Sequence, residues 1–287
     1  MAAQQQMDRA TAVAEIMKNG KDLAALPQVV FKVMEVTGSD TASAAELEKI
    51  IVVDPGFSVK LLSIANSAQF ALPRQVSSIR EAVMYIGVRQ VRQTAMAVGV
   101  FDMFIGKNDT ESKRRRVWWR HSVDTAMAAK ALSEEFGWFD PNIAYTAGLL
   151  HWCGKTVLDK ANPGNYEKVL MVVDRGATVW QAESAVFGCD HRDIAISSAQ
   201  AWGFSDELTE GLQYYVRPGE PAPASKLAAV IAVSAGLAHV ALNGRSGNSA
   251  KPWGMWASTA LGIPDEIAEN IIERGLAAIT AGSHLHF

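Results

Sequence analysis

Three histidines and two cysteines stand at spacings that could serve metal or nucleophilic chemistry. His151-Trp152-Cys153 reads H-x-C, Cys189-Asp190-His191 reads C-x-H, and His121 stands alone upstream. Imidazole and thiolate both bind zinc. Residues i and i+2 of a helix, however, point about 200° apart, so one ion rarely takes both, and a C-x₂-C turn would be the persuasive spacing. A thiol near a histidine also suits nucleophilic catalysis, although burial as a small core residue is the commoner fate of cysteine. A Cys153–Cys189 disulfide is not expected in a reducing compartment. Asn66-Ser67 has no histidine or carboxylate spaced to activate it and reads as a helix-end cap.

Two further groups could make contacts rather than do chemistry. Lys113, Arg114, Arg115, Arg116 and Arg120 surround Trp118 and Trp119, the residue types that hold phosphate and stack on bases. Spread over two helical turns, their charges face several directions, which favours a solvated helix face over a phosphate site. All eight tryptophans lie within 112–287, and most are expected in the core. Trp253 and Trp256 flank the Gly-, Asn- and Ser-rich stretch Asn243–Trp253, and these two are the candidates for a partner-binding surface.

The elements that must carry these residues are helical. Pro27 opens a segment with Val30, Val33, Met34 and Thr37 at i, i+3, i+4 and i+7. Ser43–Glu46 and Ser78–Glu81 have capping-box spacing, and Asp54-Pro55 reads as an N-cap followed by a first helical residue. Helical patterns continue at 114–136, 142–161, 164–175, 178–187, 190–202, 205–216 and 223–242, and a last helix starts at Pro264-Asp265-Glu266. The polar stretch Phe104–Ser112 divides the chain into 1–106 and 112–287. Apolar residues on several faces of the helices predict that the two halves fold as one cooperative unit.

Composition narrows the function classes. A net charge of −3 gives no global attraction to nucleic acid or anionic lipid, and 49% hydrophobic residues can build a core. Apolar runs look too broken for a membrane span, the N-terminus has no secretory pattern, and two cysteines make no disulfide framework; a cytoplasmic protein is expected.

An ordered set of short motifs resembles the HDOD family, the HD-related output domain. It comprises Leu26–Val30, Ile50-Ile51 with Asp54-Pro55, Leu61-Leu62 and Ala65–Ala68. It continues through Ile79 with Ala82-Val83, Ile86-Gly87, Val91-Arg92, Trp119–Ser122, Ala147–His151, Phe187-Gly188 with His191, and Leu261–Ile263. The resemblance implies an all-α multi-helix bundle, with a smaller N-terminal helical half packed on a larger half related to HD phosphohydrolases. HD enzymes hold divalent metals on His and Asp side chains to activate water. The resemblance places the first His on His121, the His-Asp doublet on His151-Trp152, and a third His on His191. It places a His-His pair on Tyr214-Tyr215 and a closing Asp on Ala235. Only three of these seven positions keep a ligand type, and every carboxylate among them is gone.

The expectation is therefore a non-enzymatic bacterial signalling module, without metal or cofactor, that acts by binding a protein partner or a small signal. The alternatives are a residual metal-dependent phosphohydrolase or phosphodiesterase, and a nucleotide- or nucleic-acid-binding module built on Lys113–Arg120. Neither membrane nor nucleic acid is the expected partner.

Overall fold

The computed structural model describes residues 8–19, 27–38, 42–67, 70, 74–162, 164–217, 219–244 and 251–285. Leu26 and Ala68 of the sequence motifs, and 245–250 of the Gly-rich stretch, lie outside these. Every regular element among the described residues is a helix, as the capping and periodicity signals require.

Two compact units divide the chain: Leu26–Asp102 with Thr280–Phe287, and Met1–Ala25 with Met103–Ile279. The division falls at the end of a helix rather than within the polar stretch after it. Helix α1 (Arg9–Asn19) groups with the larger unit, not with the residues that follow it.

In the smaller unit, α2 (Gln28–Val36), α3 (Ala44–Ile51), α4 (Pro55–Ala65) and α5 (Ile79–Met103, whose last residue joins the larger unit) enclose an aliphatic core. Val30, Val33, Leu47, Ile51 and Leu61 are fully buried there. Both starts are capped: the Ser43 hydroxyl accepts from Glu46 N–H, one half of the expected box, and Asp54 Oδ1 accepts from Phe57 N–H ahead of Pro55. At the second expected box, Ser78 accepts from Glu81 N–H, but the Glu81 carboxylate turns to Ser77 N–H instead. Gly87 leaves the helical region inside α5 (φ 81°, ψ 155°), so the element is two helices meeting at a residue where a side chain would be strained.

In the larger unit, α6 (Asp109–Phe136), α7 (Pro141–Leu150) and α13 (Lys226–Asn243) pack against one another. Beside them lie α8 (Cys153–Ala161), α9 (Asn165–Val173), α10 (Val179–Phe187), α11 (His191–Ala201), α12 (Asp206–Gly211), α14 (Met255–Leu261) and α15 (Ala268–Ala281). Leu132, Val233, Leu237, Trp253 and Ile271 share one core. Contrary to the reading of broken apolar runs, α13 is long and apolar enough to cross a membrane. Half of it is buried, and it packs on α6, α7, α12 and α14, the setting of a core helix.

Candidate functional site

Two corrections to the sequence reading create the site. The single helix expected over 142–161 breaks at His151-Trp152, where α7 ends and α8 begins. Likewise, the helix expected over 205–216 stops at Gly211, leaving Tyr214 and Tyr215 on irregular chain. His151 is the C-cap of α7 and Cys153 opens α8, while Cys189 lies between α10 and α11 and His191 opens α11, so neither pair shares a helix and the helix-angle argument against their joint use does not apply. Glycines bring the pieces close. A Cβ on Gly148 would lie 2.5 Å from Ala126 Cα of α6, and one on Gly154 would lie 2.0 Å from the His191 carbonyl oxygen. Asp190 caps α11 in a reciprocal box with Asp193, which sets His191 at the first helical position.

The side chains of His121, His151, Trp152, His191, Tyr214 and Tyr215 lie against one another. The Trp152 indole stacks on His121, centroids 3.7 Å apart and planes 18° apart, and the His121 and His151 rings lie 5.2 Å apart. Indole Nε1–H can only donate, and it donates to the Tyr214 hydroxyl oxygen at 2.9 Å. That hydroxyl in turn donates to His191 Nε2 at 2.9 Å. His191 Nδ1–H donates to Glu183 Oε2 at 2.5 Å, and the Tyr166 hydroxyl donates to Glu183 Oε1 at 2.6 Å. The chain Trp152–Tyr214–His191–Glu183–Tyr166 thus runs from one end to the other with its donors and acceptors matched. Burial alone would push the Glu183 carboxyl up, yet its bond and charge contacts with His191, Lys155 and Tyr166 hold it below its ordinary value.

His151 Nδ1–H donates to the Gly148 carbonyl at 2.5 Å, which leaves a lone pair on Nε2. His151 Nε2 and His121 Nδ1 are buried without a hydrogen-bond partner. Burial pushes His151 down to about 3 and holds His121 well below its ordinary value, with the Lys155 charge adding to both, so both rings are neutral near pH 7.

Beside this chain lies an ion network. Arg217 spans Asp190 (2.7 and 2.6 Å), Asp193 (2.8 Å) and Glu220 (3.2 Å). Arg192 binds the Tyr215 carbonyl and Glu220, and its guanidinium lies over the Tyr215 ring. Arg9 of α1 reaches Glu220 at 3.2 Å and Asp193 at 3.8 Å. Burial would raise the Asp190 carboxyl, but its hydrogen bonds with Arg217 bring it below the ordinary value.

These residues do not fit the divalent centre that the resemblance evokes. Both nitrogens of His191 are engaged, an indole covers His121, and Ala235 is a partly buried α13 residue with no side-chain donor atom. Among the described residues, no three His, Cys, Asp or Glu side chains are grouped to hold a metal ion. Cys153 and Cys189 are buried free thiols, both pushed by burial up to about 12, which disfavours the thiolate that zinc binding or nucleophilic attack needs.

The contact candidates fare differently. Arg114 and Arg115 turn inward and clasp Asp159 at 2.6 and 2.8 Å, Arg115 being fully buried. Lys113, Arg116 and Arg120 alone stay exposed, and Arg120 faces the buried Asp124 at 3.7 Å. The five are thus not one cationic face. Trp253 is a core residue, 8% exposed, whose Nε1–H donates to Ser258 Oγ, and Trp256 packs against the same core. Of the expected surface pair, Trp253 is internal and Trp256 only partly exposed, because α14, unread in the sequence, packs them against this core. Glu183, Lys155 and Tyr166 were missed altogether. No local signal marks them, because each stands inside a helical pattern like any other polar or aromatic residue.

The HDOD domain family matches residues 23–218. An uncharacterized protein of Treponema pallidum (strain Nichols) is 22% identical over 206 residues, covering 70% of this chain and 39% of the relative. This chain therefore spans about two fifths of that relative's length. Solved structures with this fold include the following three. An HDOD domain protein of unknown function from Geobacter sulfurreducens is 22% identical, with a TM-score of 0.72 over 97% of this chain and 99% of its own. A protein named as a proposed signal transduction protein, from Marinobacter aquaeolei VT8, is 20% identical, with a TM-score of 0.73 over 99% and 67%. One named as a proposed phosphohydrolase, from Shewanella amazonensis SB2B, is 22% identical, with a TM-score of 0.71 over 95% and 98%.

Proposed function

We propose that this chain, which belongs to the HDOD family, is a non-catalytic signalling module that works by binding a protein partner. The observation that carries this reading is the chain Trp152–Tyr214–His191–Glu183–Tyr166. Where a hydrolase needs imidazole lone pairs facing a metal and an open position for water, His191 instead spends both nitrogens on protein partners. Trp152 occupies the doublet position with its ring flat on His121. Fully matched buried networks of this kind rigidify a core and specify one arrangement.

Two features favour a protein partner over polyanions. The basic cluster spends Arg114 and Arg115 on Asp159. The smaller unit leaves Val52, Val53, Val59, Met84 and Tyr85 between 45% and 78% exposed, the kind of surface that protein contacts use. The test assays protein purified without chelator for bound metal, and for turnover of a phosphodiester with added manganese. Neither stoichiometric metal nor turnover is expected; turnover lost on His151→Ala would overturn the reading.

A further inference from the structure

We infer that the ammonium of Lys155 is the pocket's own cation, held on the face of Trp152 opposite His121 and balanced by the buried carboxylate of Glu183. The inference goes a step beyond the non-catalytic reading and rests on it only in that no metal fills the pocket.

Lysine is seldom buried unless something pairs with its charge, and Lys155 is 4% exposed. Its Nζ lies 3.2 Å from the centroid of the Trp152 ring. His121 already stacks on that indole at 3.7 Å, nearly parallel. An ammonium so close to the centroid cannot share the face with a stacked imidazole, so the order is His121, Trp152, Lys155. Cation attraction to an indole face is the strongest among the aromatic side chains and grows as water is removed.

Charge balance points the same way. His121 and His151 are neutral. His191 meets Glu183 through Nδ1 at 2.5 Å and the Tyr214 hydroxyl through Nε2 at 2.9 Å, and it shares that carboxylate with Lys155. Glu183 is fully buried, its carboxyl held below its ordinary value, and Lys155 is among the groups that hold it there. One buried negative charge needs one positive charge nearby. Burial pushes Lys155 down to about 7, and Glu183 acts to pull it back up.

Trp152 therefore does two things at the position of the lost aspartate. Its bulk fills ligand space, and its π face seats a tethered cation. A divalent ion entering the pocket would meet a fixed like charge, so the site is electrically complete without one.

The test needs no metal, so its failure is distinct from that of the non-catalytic reading. In the full chain labelled with ε-¹³C-lysine, the Lys155 ε-protons should resonate far upfield of every other lysine at pH 6. The ¹³C shift should be that of an ammonium, and Trp152→Leu should abolish the displacement. A double-mutant cycle then reads the balance. Lys155→Met and Glu183→Gln should each lower the folding equilibrium constant, and the double variant should fall short of their product by roughly tenfold. If all lysine resonances keep ordinary positions, or if the two substitutions simply multiply, the inference is wrong. The wild-type spectrum decides even if a variant fails to fold.

Discussion

The two units of this chain solve burial in opposite ways. In the smaller unit, the buried side chains from Val29 to Val100 are aliphatic or aromatic apart from Gln93 and Thr94. The larger unit buries Arg115, His121, Asp124, His151, Lys155, Asp159, Glu183, Asp190, His191, Arg192 and Arg217 among its apolar residues. Hydrophobic burial alone can hold a helical unit together, so a polar interior of this extent needs another origin. The imidazoles and the chain between them occupy the place of a metal centre in the family resemblance. On the function proposed above, the larger unit is a former reaction site whose charges have been paired off, whereas the smaller unit buries apolar side chains almost alone.

The sharpest way to break this contrast is to remove one charge from each unit. Arg217→Met strands the buried Asp190 and should cost about 3–5 kcal/mol in urea unfolding. Lys60→Met, which removes the partner of Asp102 in the smaller unit, should cost only about 0–1 kcal/mol because both groups are well over a quarter exposed. Equal losses would remove the distinction between the units. A middle-sized effect is expected from Tyr166→Phe, which deletes a donor to a buried carboxylate and should cost about 1.5–3 kcal/mol.

Acid should also separate the units. Glu183, Asp190, Glu111 and Glu220, all in the larger unit, have carboxyls lowered from ordinary values of 4.5 for Glu and 3.8 for Asp. A carboxyl lowered by folding contributes stability that is full above its unfolded value and lost as pH falls through its folded value. Hydrogen exchange should therefore show protection in 103–279 falling as pH drops below about 4, ahead of protection in 26–102. Simultaneous loss would contradict the assignment. The smallest effect is expected at Arg116→Ala, an exposed end of the former basic cluster, at under about 0.5 kcal/mol.

Helices and caps were legible because their signals are local: Ser43, Asp54 and Pro55 act within one turn of where they stand. The positions of His121, His151, Trp152, His191, Tyr214 and Tyr215 came from the ordered motifs, and the fold brings them together. Glu183, Lys155 and the fate of Trp253 could not be read, because each is decided by a helix packed against it from elsewhere in the chain. The break at His151-Trp152 was hidden for a related reason: helical periodicity runs through it, and the close approach of Gly154 to the His191 carbonyl that goes with the break involves a distant part of the chain.

The central claim is that protein hydrogen bonds have taken the place of a metal at His191, while the Nε2 lone pair of His151 stays unused, and ¹⁵N-histidine spectroscopy of the full chain tests it most directly. Both residues should show the proton on Nδ1, with His191 Nε2 accepting a hydrogen bond and His151 Nε2 accepting none, and stoichiometric zinc should leave both signals in place. A zinc-induced shift of His151 Nε2 together with His191 Nε2, saturating at one ion per chain, would contradict the account.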